Sequence, residues 1–360
     1  MKLFKVLAIL AVIFFSFNEL EARSDSLKAY KLALDGVEMI NQGKYIKAAE
    51  LLNEAISLDP ANIAYPYELA LAYYKKEDYE KAVEILDTLK EKPGADEKYY
   101  QLLGNSYDFM GKKEKAKEIY VIGLAQFPNS GRLYKEIGII HYSLKERREA
   151  RRNWEAGTKV EPSYPTNYYW LSKYFSRTGE KVYSIIYQEI YLNITKSKSR
   201  LDEISELLFD TYETGLFGKE DGSDVPGFTQ VHAYEYDFER TPFGTAFEIT
   251  MDSAAKAAGV NERDDLTLNT MHKMRTNFID LWSERGFDER FPNIIFNFHK
   301  QLMISNNFEA YNFWIMQQAR PEEYAAWLEK NSQKLGKLGK WLNENHLVID
   351  EDNNFSTIQY

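Results

Sequence analysis

Apolar positions recur along the first half of this chain at a fixed interval. Leu69, Leu103, Ile137 and Leu171 stand 34 residues apart, and Met39, Tyr73, Tyr107, His141 and Phe175 keep the same interval four positions further on. A step of four puts both sets on one face of a helix. Small residues share the interval: Gly36, Ala70, Gly104, Gly138 and Ser172 form one column, and Ala48, Ala82, Ala116, Ala150 and Ser184 another. Gly43, Glu77, Gly111, Lys145 and Gly179 stand between these columns, and Pro60, Gly94, Pro128 and Pro162 follow them.

Each column has a physical reason. Two helices approach closely only where small side chains meet at the crossing. The Gly43 column supplies the backbone freedom that ends the first helix of a pair. A proline cannot continue the second helix and marks its end. The pattern predicts antiparallel helix pairs from about residue 29 to about residue 195.

The stretch "YYQLLGNSY", residues 99–107, carries the family resemblance: Tyr100, Leu103, Gly104 and Tyr107 fall in the places of a W-x2-L-G-x2-Y signature. The region resembles about five tetratricopeptide repeats, with Asp35, Ser172 and Ser184 departing from the pattern in the terminal copies, where atypical sequence is expected. The resemblance implies an α-solenoid that holds a protein or peptide in a groove lined by the first helix of each pair. Transferred by column, the groove positions are Tyr67, Tyr74, Lys75, Gln101, Asn105, Asp108, Lys135, Tyr142, Tyr169, Lys173 and Arg177. Such a mildly basic, tyrosine-rich surface suits a segment with aromatic or acidic side chains. Of the clamp by which some relatives hold a terminal carboxylate, only Asn105 and Lys173 are matched, so that specificity is not implied.

The rest of the chain leaves the repeat. "SRLDEISELLFDTYETG", residues 199–215, has Leu201, Ile204, Leu207 and Leu208 at helical spacing and suits a capping helix. Residues 218–265 open with the turn-rich "GKEDGSDVPG" and continue with Tyr234, Tyr236 and Phe238 alternating with acidic residues, as on an extended segment. Residues 266–345 read as helical again: Leu268, Met271, Met274, Phe278, Leu281 and Trp282 share one face, and four further helices follow, with Pro292 and Pro321 in first turns. The expected organisation is therefore a signal at 1–22, the array with its cap at 23–217, a linker at 218–265, a helical region at 266–345 and a tail at 346–360. The fold class is mainly α.

The amino end changes the picture of location. Lys2 and Lys5 precede the apolar run "VLAILAVIFFSF", with Ala22 at a possible cleavage point. Twelve residues are too few to span a bilayer, so this reads as a removable signal, placing the protein in the periplasm or outside the cell with no lasting membrane insertion. There is no cysteine, which excludes a lipidated cysteine anchor, disulfides and thiolate chemistry. The formal charge of −10 is unchanged by removing residues 1–22, which hold two Lys and two Glu. Nucleic acid is not an expected partner, because it requires a basic footprint.

Candidate chemistry is sparse. No G-x-S-x-G, H-E-x-x-H, phosphate loop or dinucleotide fingerprint occurs, and the five histidines form no H-x3-H pair. Glu235, Asp237, Glu248 and Asp252 could pair for glycoside hydrolysis, but their spacing does not require it. The run from Lys145 to Trp154 spans an outer helix and reads as a solvated face. Asn193 opens an N-x-T glycosylation acceptor. The expected protein is a non-enzymatic scaffold without cofactor or metal; the alternative is a glycan-binding or glycan-processing protein using the aromatic C-terminal part.

Overall fold

A computed structural model describes residues 24–89, 92–195, 197, 200–219, 222–230, 241–350 and 352–357. The expected signal segment and the alternation at Tyr234–Phe238 lie outside the described residues. Every regular element among those described is helical, and none of the helices is long and apolar enough to cross a membrane. The chain divides into two compact units, residues 1–140 and 141–360.

The first unit holds α1 (24–41), α2 (Tyr45–Leu58), α3 (Ala64–Lys75), α4 (Tyr79–Asp87), α5 (Glu97–Phe109), α6 (Lys113–Gln126) and most of α7 (Gly131–Ser143), within which the division falls. Consecutive helices pack on one another, α2 on α3, α3 on α4, α4 on α5 and α5 on α6. Ala48, Ala70, Ala82 and Ala116 are fully buried where the pairs cross. The tightest crossing is at Gly104, where an added Cβ would lie 2.1 Å from the Tyr120 ring.

The turns inside the pairs share one construction. Gly43 and Gly111 have φ of 74° and 75°. Gly43 N–H donates to Ile40 O and Lys44 N–H to Met39 O; Gly111 and Lys112 repeat this with Asp108 and Tyr107. This is the Schellman pattern, which satisfies carbonyls left over at a helix end. Glu77 and Lys145 adopt the same left-handed conformation without being glycine, at φ 67° and 65°. Gly179 does not share it, and its Cβ position is blocked instead by Gln230 at 2.4 Å.

The second unit begins with the end of α7 and continues with α8 (Arg147–Val160), α9 (Pro165–Phe175), α10 (Lys181–Ile194) and α11 (Leu201–Phe217), the helix expected as a cap, which packs on α10. Where both crossing residues are serine, the Ser184 hydroxyl donates to Ser172 O at 2.8 Å, so the polar atoms of the atypical repeat are satisfied. Beyond it come α12 (Phe243–Ala258), α13 (Leu268–Glu284), the single turn α14 (Phe287–Arg290), α15 (Ile294–Ile304), α16 (Phe308–Ile315) and α17 (Pro321–Glu344).

Several expectations for this region change. Residues 243–258, expected within an irregular linker, form α12, because Phe243, Phe247, Met251 and Ala254 bury one helical face. The described end of "GKEDGSDVPG" is held in place: the buried Lys181 Nζ lies 3.0 Å from Asp224, and Gly227 N–H donates to Gly215 O. α15 and α16 follow residue 291, and α17 is two helices joined across a kink at Asn331, where φ/ψ is non-helical, so the four expected helices are present. Pro321 opens α17 as expected, whereas Pro292 precedes α15, whose cap is Asn293, with Oδ1 accepting from Ile295 and Phe296 N–H.

α10 meets α13, α15 and α16 around a buried charge network. Arg275 Nη2 lies 2.6 Å from both oxygens of Glu189, and His299 Nε2 and the Tyr311 hydroxyl contact Glu189 Oε2 at 2.7 and 3.1 Å. Burial pushes the Glu189 carboxyl up, but Arg275 and His299 more than offset it and hold it at about 2. His299 is pushed below its ordinary value, first by burial. Asn193 Nδ2 donates to Glu189 O and Tyr311 Oη, so the expected glycosylation acceptor is engaged in this core.

Candidate functional site

In the first unit the expected groove residues lie on α3, α5 and α7. Because residue 104 is glycine, the Tyr120 ring passes beneath α5 and its hydroxyl donates to Asn105 Oδ1 at 2.6 Å. Gln101 Nε2 donates to Glu136 Oε1 at 2.6 Å, and Arg132 Nη1 donates to Gln101 Oε1 at 3.0 Å. Glu136 also pairs with Lys135, and both are buried. Tyr74 meets Tyr79 and Phe109 at 5.6 and 5.7 Å between ring centres, and Phe109 is 61% exposed. Burial, then the negative charge of Glu136, raises the Tyr74 hydroxyl to about 12. Burial likewise raises Asp108. Tyr67 packs on Tyr99 at 4.8 Å, and Lys75 is exposed.

In the second unit Tyr142, Lys173 and Arg177 converge with Trp154, Trp170 and Tyr174 on a cavity of about 80 Å³. Trp154 and Trp170 stack at 5.5 Å, and Tyr142 lies 5.9 Å from Trp154. The exposed Arg177 donates from Nη1 to the Tyr142 hydroxyl at 3.0 Å. Lys173 is held by Glu203, which also accepts from the Tyr169 hydroxyl at 2.9 Å. Arg200 covers the Tyr169 ring at 4.4 Å. The volume suits the end of one side chain, with aromatic walls and a guanidinium at its edge.

The tetratricopeptide repeat pattern matches residues 39–106 and, in a second form, residues 97–121. The chain carries tetratricopeptide repeats. A TPR repeat-containing protein YpiA of Bacillus subtilis is 30% identical over 78 residues, 22% of this chain; the chain spans 18% of that relative's length. Among solved structures, TTC0263, a thermophilic TPR protein of Thermus thermophilus, is 19% identical with a TM-score of 0.44, covering 50% of this chain and 98% of its own. The second TPR domain of human RPAP3, solved with an HSP70 peptide, is 25% identical with a TM-score of 0.30, covering 33% and 97%.

Within the tetratricopeptide region the expected surface is less basic than its residue types suggest. Lys135 is neutralised by Glu136 and Lys173 by Glu203, neither of which was an expected groove position. The missed residues had a signal: Glu136 stands 35 residues after Gln101, and Glu203 stands 34 after Tyr169. One period along the chain is one repeat along the stack, so these pairs are neighbours in space. Trp154, which is fully buried, and Trp170, which is half-buried, escaped because neither stands in a groove column.

The other candidates have structural duties. Glu248 Oε2 accepts from Phe228 and Thr229 N–H at 2.9 and 3.1 Å. Asp252 is raised by burial and then by the charge of Glu248, while Glu235 and Asp237 lie outside the described residues. Phe308, Tyr311, Phe313 and Trp327 are buried, so the aromatic wealth of the C-terminal part is mostly core. Among the described residues no three His, Asp or Glu side chains group as metal ligands.

Proposed function

We propose that this protein is an exported, non-enzymatic scaffold that holds a protein or peptide partner on the first-helix face of its tetratricopeptide repeats. The observation that carries this reading is the aromatic cavity beside Arg177, where three positions from the groove columns meet two stacked tryptophans. It suits a partner segment that inserts an aromatic or carboxylate-tipped side chain, its charge meeting the guanidinium. Export is supported by the apolar run before Asn18, which follows Lys2 and Lys5.

The test is affinity capture from an envelope extract with the whole chain, beside an Arg177→Glu variant. Arg177 is exposed, so the fold should be kept, as far-UV circular dichroism will verify. A protein retained by the first and lost by the second supports the reading. Equal retention by both, or none by either, counts against it.

A further inference from the structure

A polar hollow in the C-terminal part lies far in sequence from the repeats. α15 presents Asn293, Asn297 and Gln301, spaced four residues apart, to a cavity of about 450 Å³. Steps of four put their amides on one helix face, about 6 Å apart along the axis. The facing wall is the segment after α17, with His346, Asn353 and Asn354 in the lining. That wall is fastened: Asn354 Nδ2 donates to Thr158 O at 2.8 Å, Asn353 Nδ2 donates to Val348 O at 3.2 Å, and the Phe355 ring packs on Tyr187 at 5.3 Å.

Asn293 is 2% exposed; its Oδ1 is spent on capping α15, and its Nδ2 has no hydrogen-bond partner. A buried amide of this kind carries a desolvation cost until something accepts from it. The side-chain amides of Asn297 and Gln301 are exposed and make no hydrogen bond among the described residues. Each can donate and accept at once, as a sugar hydroxyl does. Among the described residues the lining holds no Lys or Arg, and Asp352 is its one carboxylate, which disfavours an anion. Phe298 and Phe355, both buried, close the floor without offering a face for stacking.

We propose that this amide-lined cavity is a binding site for a neutral saccharide of one or two rings, independent of the partner site on the repeats. Asn293 Nδ2, Asn297 and Gln301 form the donor-acceptor ladder that meets its hydroxyls. The volume lies within the range of small-molecule sites. An extended peptide backbone has a similar mix of donors and acceptors, and Pro292, Ile294, Leu347 and Val348 also line the cavity, so a peptide is the comparison that the test must separate from a sugar.

Isothermal titration calorimetry of the whole chain tests this with glucose, N-acetylglucosamine, and the β-1,4-linked dimer of each. A neutral Gly-Ser peptide is the comparison. Saturable binding of at least one sugar is expected, with a dissociation constant of about 1 mM or tighter. The exposed pair Asn297→Ala/Gln301→Ala should weaken it about tenfold while leaving the thermal melt in place. Sugar binding unaffected by the double substitution, binding of the peptide alone, or no saturable binding of any sugar would each overturn the proposal.

Discussion

Replacing Glu189 by Gln removes the one negative charge from a buried cluster while keeping its shape. Arg275, 2% exposed, then has no counter-charge, and breaking such a pair costs about 3–5 kcal/mol. An independent route gives a similar figure. The Glu189 carboxyl is held at about 2, against an ordinary 4.5. A lowering of that size corresponds to about 3 kcal/mol of stability. Because the folded state holds the carboxyl below its unfolded value, this contribution is complete above about pH 4.5 and is lost as pH falls toward 2.

The assay follows from where the tryptophans lie. All six are at position 154 or beyond, so their fluorescence reports the second unit alone. Urea titrations of wild type and Glu189→Gln at pH 7 should differ by about 3–5 kcal/mol, and the gap should shrink as the pH is lowered from 4.5. A Glu189→Leu/Arg275→Met pair should cost less than the sum of the two single changes, because neither charge is left stranded. A Glu189→Gln loss below about 1 kcal/mol, or a gap independent of pH, would refute the view that this network secures the second unit.

Two further substitutions probe the repeat geometry. Gly104→Ala would drive a methyl into Tyr120 and should cost about 1–3 kcal/mol by far-UV circular dichroism melts, whereas a wild-type melting curve would mean that the crossing relaxes freely. Lys145→Gly relieves a left-handed residue and should raise the urea midpoint followed by tryptophan fluorescence. The gain is capped at about 1 kcal/mol because glycine also loosens the unfolded chain, and a lowered midpoint would contradict the strain argument.

The helix pairs could be read from sequence because their cause is local and periodic: a small residue at each crossing and a turn at each fixed offset. Turn geometry was less dependent on residue type than expected. Glu77 and Lys145 take the glycine conformation because the Schellman bonds to Tyr73 and His141 enforce it. α12 was missed because its apolar stripe follows a turn-rich, acidic stretch and is diluted by threonine and alanine. The groove residues were named from columns alone, which say what faces outward but not what neutralises it. Glu136 and Glu203 showed that part only once the repeats were stacked. The amide ladder on α15 spans three separate turns and has no motif, so only the wall formed by residues 346–348 and 352–355 makes it a cavity.

The pairs Gln101 with Glu136, Tyr142 with Arg177 and Tyr169 with Glu203 tie each residue to one 34 or 35 positions on, about one period away. Inheritance should then act on repeats in couples. A drift to a different side chain at 169 would select for an answering change at 203, and a duplicated repeat inserted between them would separate the partners. Families descended from this array should accordingly show covariation at one-period offsets, and copy number should change only at junctions that no such pair crosses.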